Sequence, residues 1–171
     1  MKKIHFSNKY GLTTSVLQRR KRITRRTYNG KQHYKIGEII AIAQSYKEAE
    51  INFIQEEDDE LGCYNFPAEQ TAGWNNKLFV KAELMPHHIR ITDVKIERLQ
   101  DISDVECFNE GIEDYSTPTE KRYGYADFER ETIFAFRTPR EAFAALIDRI
   151  SGKGTWKNNH YVEVYEFELI D

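Results

Sequence analysis

"GLTTSVLQRRKRITRRTYNG", Gly11–Gly30, changes character halfway along, and that change decides the fold. Leu12, Val16 and Leu17 recur at helical spacing, and Thr13 or Thr14 supplies an N-cap hydroxyl. This predicts a short helix over residues 14–20, with cations gathered at its C-terminal end, where the helix dipole favours them. From Arg22 the chain reads as extended. Ile23, Arg25 and Thr27 then fall on one face, and Thr24, Arg26 and Tyr28 on the other. "NGK" (29–31) is a turn, and the apolar run in "GEIIAIAQSY" (37–46) suits a buried strand.

The same reading extends along the chain. "KLFVKAEL" (77–84) and "HHIRITDVKIERL" (87–99) are expected as strands. In the second, Ile89 and Ile91 share one parity while Val94 and Ile96 share the other, which predicts a bulge near Thr92–Asp93. Ser103 and Glu106 have capping-box spacing ahead of a short helix that Gly111 can close. Thr138, Pro139 and Glu141 open a longer helix with Phe143, Leu146, Ile147 and Ile150 as its apolar stripe and Gly152 at its end. "HYVEVYEFELI" (160–170) is a long final strand. Residues 47–76 lack a clean period and carry an acidic cluster, so 46–76 is expected as an insertion or long excursion. Strands interleaved with a few short helices imply one mixed α+β domain over 1–171, built on a curled or closed sheet.

Composition narrows the functional classes. A chain of 171 residues, 40% hydrophobic and 31% charged, is a single globular domain rather than a disordered segment. No run approaches the ~20 apolar residues of a membrane helix, and no signal-peptide core follows the first residues. Cys63 and Cys107, without a Cys-x-x-Cys pair, fit a reducing, cytoplasmic setting and exclude a zinc ribbon. Adjacent His87 and His88 would point to opposite faces of a strand and make a poor chelate, so neither metal nor cofactor is expected. Phosphate-loop, dinucleotide and metalloprotease motifs are absent from the sequence. Charge is divided sharply: residues 1–36 hold 11 Lys and Arg and no acid, while the remaining 14 stand against all 28 acids. That asymmetry fits either one face for a polyanion or a solvated surface.

Chemistry concentrates on Lys21 and Thr24. A Thr hydroxyl is a weak nucleophile until a base takes its proton, and Lys serves only when its pKa is lowered. The crowd of Arg19, Arg20, Arg22, Arg25 and Arg26 is expected to disfavour the Lys21 ammonium. By spacing alone the pair says little, since Lys and Thr three residues apart are commonplace.

"SVLQRRKRITRR" followed by "YKIGEIIAIA" resembles the opening signature of ASCH-domain proteins, in which a helix leads into Gly-Arg-Lys-Thr-x-Thr-x-Arg and a Gly-Asp strand follows. "HIRITDVKIERLQDISDVECFNEGI" is similar to the family's second block, and "WKNNHYVEVYEFELI" to its closing strand. The wording is closest to ASCH proteins of phages and prophages. The resemblance spans 1–45, 77–112 and 139–170; residues 46–76 and 113–137 find no counterpart. It implies a PUA-like β-barrel flanked by a few short helices, related to RNA-binding modules. Some small bacterial members are amidohydrolases that deacylate N4-acetylcytidine with a Lys, a Thr and a Glu. Carried over by motif, these are Lys21, Thr24 and Glu110, with Arg26 at a further basic position that holds an anionic or carbonyl group. Arg19 departs from the family's Gly, and Arg22 from its first Thr.

The combined reading is an ASCH-type domain that binds RNA or a nucleotide through a basic cleft of residues 19–26, with Tyr28, Tyr34 or Trp74 stacking on a base. The alternative is an amidohydrolase acting on an N4-acylated cytosine base or nucleoside. A third class is a phage or host interaction protein without chemistry, its partner surface on 46–76.

Overall fold

The computed structural model describes residues 1–50 and 71–171. Most of the expected 46–76 excursion therefore lies outside the described residues. Among the described residues eight strands form two sheets. The larger contains β1 (Lys3–Ile4), β2 (Ile23–Thr27), β3 (Ile39–Ile42), β4 (His88–Arg98) and β8 (Tyr161–Leu169), in the order β1-β3-β4-β8-β2. Only β1 and β3 run parallel; the other pairs are antiparallel.

Strands β4 and β8 form the spine, and the register shifts between Ile91 and Asp93, where parity required it. The bulge keeps Val94 packed against the core, although Ile96 further along is exposed. Beyond it Val94 faces Tyr165 and Ile96 faces Glu163, so both stay on the face that Ile91 shares with Phe167. The final strand is buried on both faces, with Val162 and Val164 on one side and Glu163, Tyr165 and Phe167 on the other.

The sheet curls but does not close through backbone pairing. Its edge strands are β1 and β2, and a side chain spans the gap: Arg26 Nη2 donates to the His5 carbonyl at 2.8 Å. Residues 77–84 are not a strand. They form two 3-10 turns, Lys77–Phe79 and Ala82–Leu84, because the Asn76 side chain accepts from Leu78 N and starts a turn. Leu78 and Phe79 are consequently exposed.

Among the described residues four α-helices flank the sheet: α1 (Leu12–Leu17), α2 (Asp104–Asn109), α3 (Pro139–Ser151) and α4 (Thr155–Asn158). The first starts and stops earlier than its sequence suggested, with Gly11 rather than a Thr as its N-cap, and the cations follow it instead of lying in its last turn. The capping boxes of α2 and α3 form as their spacing requires. Along α3, Phe143 and Leu146 are buried in the core, whereas Ile150 is exposed at 40%. A second sheet, β5 (Glu113–Asp114), β6 (Tyr123–Asp127) and β7 (Thr132–Phe136), occupies the segment without a counterpart and lays Tyr125 against the core. No described helix is long and apolar enough to cross a membrane.

Candidate active site

The site begins at the end of α1. Arg19 takes a left-handed conformation with φ 60°, and the Arg20 and Lys21 amides then both donate to the Ser15 carbonyl, at 2.9 and 3.0 Å. This is the geometry a Gly usually supplies, adopted here by an Arg. The reversal turns Lys21 inward, to 2% exposure, while Arg19, Arg20 and Arg22 stay outside.

Opposite Lys21 lies the end of α2. Glu110 is the C-cap and is buried rather than exposed in the helix's last turn. Gly111 follows with φ 111°, and a Cβ there would sit 2.8 Å from Leu12 Cδ2. The missing side chain lets α2 pack closely on the α1 segment. Lys21 Nζ donates to Glu110 Oε2 at 2.5 Å, to the Glu110 carbonyl at 2.8 Å and to the Ile23 carbonyl at 2.7 Å. These three acceptors match the three protons of an ammonium.

Burial is the main force on Lys21 and pushes its pKa down; the Glu110 carboxylate works against it, and Arg26 and Arg25 add a smaller push downward. The arginine crowd expected from the sequence is thus a minor cause. Arg25 is itself neutralised. Its guanidinium meets Glu97 at 2.8 Å, Glu110 at 3.1 Å and Glu106 at 3.2 Å. Burial works to raise the Glu106 pKa, but the Lys95 hydrogen bond, the Ser103 amide and Arg25 outweigh it and bring it to about 2.

Thr24 sits on β2 opposite Tyr165 and is 4% exposed. Lys21, Thr24 and Glu110 line one cavity of about 60 Å³, joined by His5, Phe6 and Arg26. Phe143 and Ile147 of α3 close its far side. No hydrogen bond links Thr24 to Lys21 among the described residues. The aromatic walls are Phe6 and Phe143. Tyr28 and Tyr34 do not line this cavity, and Trp74 packs on a separate apolar cluster with Tyr46 and Val80.

The basic residues do not form one cleft. Arg19 and Arg22 line an outer groove of about 500 Å³ that Lys21 also borders and that holds Glu166 and Glu168. Arg20 joins them in a neighbouring groove with Glu113 and Asp114, and pairs with Glu113 at 3.0 Å. Only Arg25, Arg26 and Lys21 face the small cavity.

Sequence reasoning missed His5. Its Nδ1 is buried without a hydrogen-bond partner, and burial, followed by Lys3, Lys77 and Arg26, lowers its pKa. A neutral imidazole therefore lines the cavity. The only signal was a lone His just beyond the short strand β1, two residues after Lys3. Cys107 is a buried thiol pushed up to about 12 by burial, which removes it as a nucleophile. His87 and His88 both hydrogen-bond Asp171, and no group of three metal-ligating side chains occurs among the described residues. Compared with family models, curated proteins and solved structures, the chain finds no match in any of the three.

Proposed function

We propose that the chain is an amidohydrolase that removes the acyl group from an N4-acylated cytosine base or nucleoside. The observation that carries this reading is the convergence of Lys21, Thr24 and Glu110 on one small cavity, although 89 positions separate the first from the last. The ASCH resemblance supplies the substrate class. A cavity of about 60 Å³ admits a few waters or an acyl-sized group, so the acyl end enters and the base stays at the mouth.

The reaction starts with Lys21 passing a proton to Glu110, to which it is already hydrogen-bonded. The lone pair this leaves on Nζ faces Glu110, and rotation about the Cε–Nζ bond turns it to the Thr24 hydroxyl. Thr24 Oγ attacks the acyl carbon as its proton moves to Lys21. The bond from that carbon to N4 breaks, and Glu110 returns its proton to the leaving amine. Water then cleaves the acyl-threonine ester, releasing the acid and restoring Thr24. Incubation with N4-acetylcytidine, following cytidine release by chromatography, tests this; turnover supports it, and none at any pH between 6 and 10 overturns it.

A second reading is RNA or nucleotide binding without chemistry. One observation favours it: Lys21 is fully hydrogen-bonded as an ammonium and makes no bond to Thr24. Under that reading affinity falls with salt, by about 0.7 in log K per log salt for each single-strand phosphate neutralised.

A further inference from the structure

A second, more polar pocket of about 150 Å³ adjoins the small cavity and shares with it the walls made by Arg25, Arg26, Ile147 and Ser151. Its remaining polar lining is Thr27, Thr155 and His160. No carboxylate lines it among the described residues, in contrast to the outer grooves, where Glu166, Glu168, Glu113 and Asp114 stand beside the arginines. The two guanidiniums in the shared wall also differ. Arg25 is held by three carboxylates, whereas Arg26 has no acidic partner within 4 Å among the described residues and donates only to the His5 carbonyl.

An uncompensated guanidinium beside an imidazole and three hydroxyls is a donor set for a phosphate group. His160 Nε2 and Thr27 Oγ1 line one side of the pocket and hydrogen-bond each other at 3.3 Å, so together they offer a phosphate one donor while the imidazole is neutral and two once it is protonated. Thr155 already donates its hydroxyl to the Gly152 carbonyl, which leaves its lone pairs only, so Arg26, His160, Thr27 and Ser151 carry the recognition.

We infer that this pocket is a phosphate subsite, and that the ligand of the neighbouring cavity is a cytosine nucleotide rather than a free base or nucleoside. The cytosine identity rests on the reading proposed above; the phosphate preference does not. Arg26 lines both compartments, so a ribose-linked phosphate lies in one while the base edge stands at the mouth of the other.

Calorimetric titration with cytidine, cytidine 5′-monophosphate, cytidine 3′-monophosphate and the trinucleotide CpCpC tests the inference without requiring turnover. At least one phosphorylated ligand is expected to bind about tenfold or more tightly than cytidine, as one charge-assisted phosphate contact would give. The 5′ and 3′ monophosphates distinguish the two monoester positions, and preference for the trinucleotide over both assigns a diester. His160→Gln and Arg26→Met should each shrink the ratio of phosphorylated-ligand affinity to cytidine affinity, with thermal melting used to confirm that both variants fold. Equal affinity for cytidine and every phosphorylated ligand, no binding of any, or a ratio unmoved in both variants overturns the inference. Preference for phosphate without deacylation of N4-acetylcytidine retains the subsite and rejects the hydrolase; deacylation without such preference does the reverse.

Discussion

Lys21→Met removes the centre of the proposed site, and its energetic consequence can be worked from the contacts. The change deletes three hydrogen bonds from a buried ammonium and strands one side of a buried ion pair. Breaking such a pair on one side costs about 3–5 kcal/mol. Glu110 keeps its Arg25 contact at 3.1 Å, so the lower end, about 3 kcal/mol, is expected. Glu110→Gln leaves the Lys21 ammonium beside a neutral amide and costs about 2 kcal/mol, the difference between a charged and a neutral partner. The double variant removes both uncompensated charges, and the Met side chain packs towards Phe6, whose ring centre lies 5.8 Å from Nζ in the native protein. Its loss should therefore be about 3 kcal/mol rather than the additive 5, a coupling near 2 kcal/mol, as is usual within one network. Urea unfolding of the four proteins, with the slope against denaturant held common, measures the cycle. Catalysis should behave differently: all three variants should lose turnover to the same floor, because a unit fails when any member is removed. Single losses below about 0.5 kcal/mol, or strictly additive ones, would refute the buried pair.

Other features give sharper local tests. Arg19→Gly should be more stable than Arg19→Ala by about 1 kcal/mol, because only Gly holds a left-handed φ without penalty; equal stabilities would contradict the helix-end reversal. The folded protein binds the Lys21 proton less tightly than the unfolded chain, so the unfolded chain carries more protons between the lowered pKa and the ordinary 10.5. Wild-type stability measured relative to Lys21→Met should therefore rise with pH through that window, and a flat or falling difference would count against it. Gly124→Ala places a Cβ 1.9 Å from the Phe134 carbonyl oxygen, so β6 must part from β7 at a cost of about 3 kcal/mol; a loss under 1 kcal/mol would refute that close approach.

Some of this was legible in the sequence for local reasons. The capping boxes at Ser103–Glu106 and Thr138–Glu141 and the bulge beside Asp93 depend on residues within a few positions of one another, and they form as read. The stretch 77–84 was misread because its apolar run Leu78–Val80, with strand-prone Phe and Val, imitates a strand, while the deciding group, the Asn76 side chain, precedes it. The hairpin sheet of β5 to β7 gave no signal, since its strands gain their burial from α3 and from the close approach at Gly124. At the site, the meeting of Lys21 with Glu110 was reached through resemblance, not spacing. The neutralisation of Arg25 was out of reach altogether, because Glu97 and Glu106 lie 72 and more positions away, and their approach depends on the pairing of β2, β8 and β4.

The central claim is that Thr24 is the nucleophile of a Lys21–Thr24–Glu110 unit. It is tested most directly by the initial rate of cytidine release from N4-acetylcytidine, compared among the native protein, Thr24→Ser and Thr24→Ala. Serine keeps the hydroxyl in the same cavity and should retain measurable turnover, whereas alanine should lose at least about a thousandfold, as nucleophile deletions do. A Thr24→Ala protein that releases cytidine within tenfold of the native rate would contradict the account.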